Sequence, residues 1–457
     1  MVIPVMRRYF DYPWLLFFGL LILFVGARIV GPRIADDEQF KFCAVNVHIT
    51  KLFGVSLNCD SPEFMRLSTD PAALLEPGNV LQAKPGMIFA AYAIGLVVRP
   101  LTTVIPHLVQ RAERKDIDPS RISHAVNNFG PAYIGYVVLN IGLLIASFYL
   151  LLKIVNRGGP WDLADSIIIV TVSGLYTLIY PVTNWLLTPH TEIFNTFVPL
   201  LALYYAVRIL RPEAAIDRRF FVVAGLITGL GILAYGLFYI VLPCIGAAYA
   251  VRWWRGGRKA LAAHLQNLAL FTALCLLPMA AWYAFVRLTT GQFHYHEVQS
   301  FNTAIWIVME AKKGLPNLVA ATVERVSYHW FGFLHVAKLT AFYALLLAGF
   351  AIVVMRGRGA FLKSIAATNR DALLAALGTS VLTWTFYTFI VGQFQVRHSY
   401  AALPPLVAGL AIIATSLSAG LSERARTTLA ALSALFLAGA FYFGATAGVD
   451  PLGRLFD

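Results

Sequence analysis

The sequence predicts an all-α, polytopic integral membrane protein from its composition, its apolar runs and the placement of its basic residues. Of the 457 residues, 59% are hydrophobic and 13% are charged, whereas roughly a quarter of the residues of soluble chains are charged. This balance excludes a disordered chain, an ordinary soluble enzyme and a fibrous repeat. Four cysteines are too few for a disulfide-rich scaffold. The two Gly-rich nucleotide-binding motifs are missing, which argues against an ATP-driven pump.

The apolar runs predict eleven membrane spans in a single domain over residues 1–457. A bilayer core of roughly 30 Å needs about 20 apolar residues per helix. The first run follows Arg7 and Arg8 and has no small-residue cleavage site after it, so we interpret it as a span rather than a signal peptide. The predicted spans are 14–31, 130–152, 165–186, 193–210, 219–235, 236–252, 264–286, 338–355, 371–391, 401–418 and 427–446.

Basic residues fix the predicted orientation. They cluster in five loops, which all come out cytoplasmic when the N-terminus is inside. The clusters are Lys153 with Arg157; Arg211, Arg218 and Arg219; Arg252, Arg255, Arg258 and Lys259; Arg356, Arg358, Lys363 and Arg370; and Arg424 with Arg426. The outer face then carries two long segments, 32–129 and 287–337, and a short turn at 187–192.

The apolar segment 86–109 conflicts with this orientation. Counting it as a span would move all five basic loops to the outside. We therefore expect a partly embedded or re-entrant helix, with Arg111–Arg121 external. Arg99 and Pro100 in its middle favour a break.

Polar residues on the outer face are the candidates for chemistry. Asp36, Asp37 and Glu38 directly follow the first span; acids at a membrane interface are costly unless solvated, paired or functional, although they also suit a solvated helix N-terminus. Lys84 lies where the first outer segment re-enters the membrane. It could bind phosphate as a point charge or simply extend its ammonium group to the interface.

Two further segments contribute candidates. His190 and Glu192 lie in the short outer turn, where they could bind a metal, polarise a leaving group or form a plain turn. Arg397, followed by His398 and Tyr400, lies at the outer end of a span, although basic residues usually favour the cytoplasmic side. An arginine in this position would require an anionic partner. Tyr235, at the outer turn between two spans, either lines the same cavity or is an interface aromatic.

Taken in order, these segments resemble the C-type (GT-C fold) membrane glycosyltransferases, in particular the protein O-mannosyltransferase and lipid A aminoarabinose transferase group. The resemblance runs from about residue 10 to 418. Tyr235 stands where those enzymes often have a lysine, and Lys84 lacks their preceding glutamate. The segments that carry the resemblance are Asp36-Asp37-Glu38, Gln82-Ala-Lys84-Pro85, Thr188 to Arg208, Ala224 to Gly236, Pro278 to Tyr283 and Arg397 to Pro404.

The resemblance implies a GT-C-like bundle with juxtamembrane helices in the first outer loop, and an inverting transfer of sugar from a polyprenyl-phosphate donor to a glycan, lipid or protein acceptor. Asp37 would be the general base, with Asp36 as the alternate. Lys84 and Arg397 would hold the donor phosphate. The residues expected to orient substrates are Glu192, His190, Glu38, His398, Tyr400 and Tyr235.

The remaining expectations concern cofactor, location and alternatives. Glu192 and His190 could instead hold a divalent cation such as Mg²⁺ or Mn²⁺. The expected location is a bacterial inner membrane, with the site facing the periplasm. A transporter or lipid flippase is the main alternative, since ionisable residues in membranes also mark transport pathways, but no pseudo-symmetric halves are visible. A polysaccharide polymerase or ligase is a third.

Overall fold

The computed structural model describes residues 11–30, 44–48, 54–58, 60–104, 119–155, 160–211, 216–256, 261–292, 303–354, 369–391 and 396–446. Asp36, Asp37 and Glu38 lie outside this part of the chain. The first elements are α1 (Tyr12–Val30), β1 (Ala44–His48), β2 (Gly54–Asn58), α2 (Ser61–Thr69), α3 (Pro85–Thr102), α4 (Pro119–Val155), α5 (Leu163–Thr177), α6 (Tyr180–Trp185), α7 (Phe194–Leu210) and α8 (Arg218–Ala234). The later ones are α9 (Val241–Gly256), α10 (Leu261–Thr290), α11 (Ile305–Lys312), α12 (Leu315–Val354), α13 (Arg370–Thr385), α14 (Val396–Ser399), α15 (Leu403–Ala419) and α16 (Glu423–Thr446).

The described chain is a helical bundle of the membrane type. Nine of its helices are long and apolar enough to cross a membrane. One of these is α3; the others coincide with predicted spans. Three further predicted spans correspond to shorter helices, since α5 has 15 residues and α7 and α8 have 17 each. The all-α architecture is therefore confirmed, and the nine candidate spans are consistent with a polytopic membrane protein. The count of eleven spans stays a prediction.

Charged contacts gather at one end of the bundle, which we call the basic end. Arg211 donates to the carbonyl of Ile154 at 2.6 Å, and Arg252 donates to that of Ile209 at 2.8 Å. Two ion pairs lie at the same end: Arg255 with Asp371 at 2.5 Å, and Arg426 with Asp162 at 2.7 Å. Residues from all five basic loops thus meet at one end, as the predicted topology requires.

Helix length differs sharply across the bundle. The most buried candidate span is Tyr400–Ala419, with 78% of its window inside the protein, and α5 and α7 beside it are buried along most of their length. At 1.5 Å per residue the 17-residue helices α7, α8 and α15 are about 25 Å long. By contrast, α4 has 37 residues, α10 has 30 and α12 has 40. The long helices therefore extend beyond the ends of the central ones.

Helix α3 packs antiparallel against the first half of α4. The pair meets at two glycines: a side chain at Gly135 would overlap the carbonyl of Ala91, and a Cβ at Gly95 would lie 3.0 Å from the carbonyl oxygen of Pro131. Because α4 ends at the basic end, this order means that α3 runs away from that end. Its Pro100 lies in the last turn, and the helix continues to Thr102. The expected break in its middle is therefore wrong, since a late proline removes one hydrogen bond without ending the helix.

The first outer segment also contains strands. An antiparallel hairpin pairs β1 with β2, with Ala44 opposite Asn58, where only juxtamembrane helices were expected. Asn58 Oδ1 then accepts a 2.8 Å hydrogen bond from the backbone N–H of Ser61, which starts α2. This hydrogen bond connects the end of β2 to the start of α2.

Two other boundaries differ from the prediction. The span 165–186 is divided, because α5 ends at Thr177 and α6 starts again with Pro181 in its first turn. Helix α12 begins at Leu315, well before the predicted start at 338. Much of the predicted outer segment 287–337 is therefore continuous helix, since its apolar and polar residues both favour helix and nothing breaks it.

Candidate functional site

His190 and Glu192 lie in the turn between α6 and α7, at the end of the bundle opposite the basic end. Both are almost fully buried, at 4% and 3% exposure. Asn140 of α4 holds this turn, because its amide lies 3.1 Å from the Trp185 carbonyl and 3.0 Å from the Thr188 carbonyl. The two candidate side chains are thus fixed by the long helix α4 rather than exposed in a free loop.

Glu192 lies between an amide and an imidazole. Asn195, three residues later in the first turn of α7, donates from Nδ2 to Glu192 Oε2 at 2.6 Å. His190 Nδ1 lies 3.8 Å from Glu192 Oε1. On the other side of the ring, His190 Nε2 lies 3.4 Å from Asp60 Oδ2, and the Asp60 side chain is 57% exposed. The His190 ring therefore lies between a buried carboxylate and an exposed one.

Asn195 connects this acidic side to two tyrosines. Its Oδ1 accepts from the hydroxyl of Tyr235 at 3.0 Å and from that of Tyr387 at 2.5 Å. The two hydroxyls lie 3.1 Å apart. Tyr235 follows α8, and Tyr387 lies in a π-helical turn, Phe386–Ile390, that ends α13. The sequence left two interpretations of Tyr235 open, a residue that lines the site or an aromatic residue at the membrane interface. Its contact with Asn195 agrees with the first.

Lys84 lies beside Tyr235. Its Nζ is 5.8 Å from the centre of the Tyr235 ring, a cation–π distance. Two residues before Lys84, the backbone carbonyl of Gln82 accepts a 2.9 Å hydrogen bond from Trp282 Nε1. Gly86 allows the start of α3 to approach the end of α8 closely, because a Cβ at Gly86 would lie only 3.0 Å from the backbone nitrogen of Ala234. The chain around Lys84 is thus fixed against the end of α8, and the lysine itself stays partly exposed.

The candidates His398 and Tyr400 follow α13 and make different contacts. His398 stacks on Tyr387, with ring centres 4.7 Å apart and planes inclined by 13°. Tyr400 is fully buried; its hydroxyl lies 2.7 Å from Thr196 Oγ1 and donates to the Tyr176 carbonyl at 3.0 Å. It therefore packs behind the cluster, next to Asn195. The side chain of Arg397 lies outside the described part of the structure.

The exposed rim near Asp60 is formed by α2. Arg66 bonds Glu63 at 2.9 Å and Glu76 at 3.1 Å. These hydrogen bonds, first that to Glu63 and then that to Glu76, raise the pKa of Arg66 above its ordinary value. Arg66 stays charged but is already engaged by two carboxylates. Arg66 is therefore a poor candidate to meet an anion on this side.

The site as a whole combines predicted and unpredicted residues. Lys84, His190, Glu192, Tyr235 and His398 come together, as the topology predicted. Asp60, Asn195 and Tyr387 were missed. Asn195 could have been found, because it lies three residues after Glu192 at the start of a helix, and side chains at that spacing can contact each other directly. Tyr387 and Asp60 carry no such signal, since tertiary packing alone brings them in.

A metal centre is not formed by the described side chains alone. Within the described ranges no three His, Cys, Asp or Glu residues are grouped as metal ligands would be. Asp36, Asp37 and Glu38 lie outside these ranges. The divalent cation therefore stays a prediction.

Comparison with protein-family models, with curated proteins and with solved structures returns no match for this chain.

Proposed function

We propose that this protein is a membrane glycosyltransferase that moves a sugar from a polyprenyl-phosphate-linked donor to a glycan, lipid or protein acceptor, with inversion. The observation that supports it best is the cluster of Lys84, Tyr235, Asn195, Glu192 and His190 at a depth that a lipid headgroup can reach. The Lys84 ammonium lies over the ring of Tyr235, and the hydroxyl of this tyrosine is connected through Asn195 to the buried Glu192 carboxylate.

The depth follows from helix length. Asn195 lies in the first turn of α7, and Arg211 at the other end of α7 is at the basic end. A 17-residue helix is about 25 Å long, slightly less than the roughly 30 Å hydrocarbon core. With the basic end at the cytoplasmic surface, the cluster lies just below the outer surface. Ionisable groups at that depth are costly and usually functional.

The chemistry assigns one role to each side of the cluster. The acceptor oxygen attacks the anomeric carbon, the bond from that carbon to the phosphate oxygen breaks, and the acceptor proton passes to a carboxylate. Lys84, with Arg397, offsets the charge left on the departing lipid phosphate. Asp37 is the proposed base, and Glu192 with His190 orients the acceptor or donor, or holds a divalent cation.

The same proposal covers the finer architecture. We place the chain in a bacterial inner membrane as a GT-C-like bundle of eleven spans, with the cluster facing the periplasm. Helix α3 then runs outward from the level of the cluster, since it points away from the basic end. This direction favours an outer-face helix over an additional span.

The experiment is transfer by purified protein from a panel of radiolabelled polyprenyl-phosphate sugars. Asp37→Asn keeps the shape and removes the proton acceptor, so transfer should fall about 10²–10⁴-fold at unchanged expression. Asp36→Asn is the matched control and should cost less. If Asp36→Asn abolishes transfer while Asp37→Asn does not, the base is Asp36. If wild-type protein transfers no sugar and instead moves a labelled lipid across vesicles, the transporter alternative replaces this proposal.

A further inference from the structure

Asn195 holds a position that fixes the orientation of its own side chain. It is fully buried, and its amide faces a carboxylate at 2.6 Å. Its Nδ2 donates to Glu192 Oε2, which is the arrangement that an ionised carboxylate requires, because such a group only accepts hydrogen bonds. The carbonyl oxygen must then face Tyr235 and Tyr387, which both have a hydroxyl to donate.

The two tyrosines belong to separately anchored elements. Tyr235 is beside Lys84. Tyr387 lies in the π-helical turn after α13, a type of turn that often occurs at functional sites. Side chains and backbone from 303–325 hold the end of this turn: Trp306 Nε1 donates to the Phe389 carbonyl at 3.0 Å, and Ala304 N donates to the Ile390 carbonyl at 2.8 Å.

We infer that Asn195 is the positioning residue of the site. It orients the Glu192 carboxylate and couples it to Tyr387 and to Tyr235, which lies beside Lys84. The carboxylate and the lysine ammonium group thereby keep fixed positions relative to each other. Its role in turnover rests on the proposed function, because Asn195 acts on the substrate only through Glu192. The coupling itself does not depend on which reaction the site performs.

Two variants separate the two bonds of Asn195. Asn195→Ala removes both. Asn195→Asp keeps the shape and an oxygen for the tyrosines, but replaces the donor to Glu192 with a second carboxylate. Tyr343→Phe is the control, because Tyr343 is also buried and loses a comparable 2.8 Å bond, to Ser433, away from the cluster.

Coupling is measured first, without any substrate. With 3-fluorotyrosine at position 387, Glu192→Ala should shift the fluorine resonance in the parent protein and leave it unshifted in the Asn195→Ala background. Tyr343→Phe should not move it. An equal shift from Glu192→Ala in both backgrounds would overturn the inference, since Asn195 would then not be the link.

Turnover is measured second. Both Asn195 variants should lower kcat for sugar transfer by about 10- to 100-fold, the size expected for a lost hydrogen bond to a charged group, with KM for the donor changed less than about threefold. Unchanged kcat, or a rise in KM alone, would overturn the positioning role. If no donor supports transfer in the wild type, the proposed function fails, and the fluorine result still decides whether Asn195 couples the two sides.

Discussion

At the scale of single residues, Lys84 and Glu192 are ionisable groups in contrasting surroundings. Glu192 is buried and bonded to Asn195, whereas Lys84 is partly exposed and rests against the face of Tyr235. A partly exposed cation beside a buried network is within reach of an incoming anion. A buried carboxylate with a short bond is suited to keep one orientation.

Lys84→Ala should therefore weaken donor binding. Loss of a charge-assisted contact to a ground-state phosphate should raise KM for the donor about 10- to 100-fold. Lys153→Ala is a matched control, because Lys153 lies over the Tyr149 ring at 5.3 Å but at the basic end. A donor KM that responds equally to both changes would show a general charge effect, not a site at Lys84. Initial rates against donor concentration in detergent measure this.

The sequence located the residues that contact each other through short turns, and missed those joined by packing. Lys84, His190 and Glu192 were found because a consistent topology puts their loops on one face. Tyr387 was hidden in an apolar run, where an aromatic residue is ordinary. Asp37 lies outside the described part of the chain, and its place at the site stays a prediction.

At the scale of elements, the close contact between α3 and α4 bears on the site, because Lys84 immediately precedes α3. Gly135 lies directly against the Ala91 backbone, whereas Gly142, two turns further along α4, has nothing within 4 Å of where its Cβ would be. One helix thus offers both a crowded and an open glycine.

Gly135→Ala should destabilise the protein and Gly142→Ala should not. The added methyl at 135 must displace backbone, and overpacking of this kind costs typically about 1–3 kcal/mol. The same change at 142 adds a good helix former in open space, worth up to about 1 kcal/mol in the other direction. Thermal unfolding of the two variants in one detergent compares them. Equal melting temperatures would mean that α3 does not pack here.

Sequence patterns predicted these helices better than their ends. Apolar length identified α3, α4 and α12, but both α4 and α12 begin much earlier than their apolar runs. Hydropathy reports where a helix meets lipid, not where it starts. The hairpin of β1 and β2 was missed because two five-residue strands give little alternation to detect.

At the scale of the whole molecule, the two ends of the bundle differ in charge and in content. Ion pairs between loops gather at the basic end, and the buried polar cluster lies at the other. Because α3 runs away from the basic end, residues 105–118 should lie on the same side of the membrane as the cluster.

Accessibility labelling tests this topology. In a background in which the four cysteines are replaced, a cysteine at Arg114 should react with an impermeant maleimide from the outside. A cysteine at Arg424 should react only after the membrane is opened. Labelling of both from the same side would contradict the direction of α3 and would restore 86–109 as a true span.

Helices of 17 residues around the cluster tie the protein to the thickness of its bilayer. Hydrophobic mismatch is accommodated by tilting helices or by deforming lipid, at fractions of a kcal/mol per Å. In vesicles of long-chain lipids the cluster would lie deeper below the headgroups, whereas in short-chain lipids it would stand above the plane of the headgroups, out of reach of a membrane-bound phosphate. Transfer should therefore be fastest at an intermediate acyl chain length and slower in thinner and thicker bilayers. Bilayer thickness would then control how well the two substrates meet.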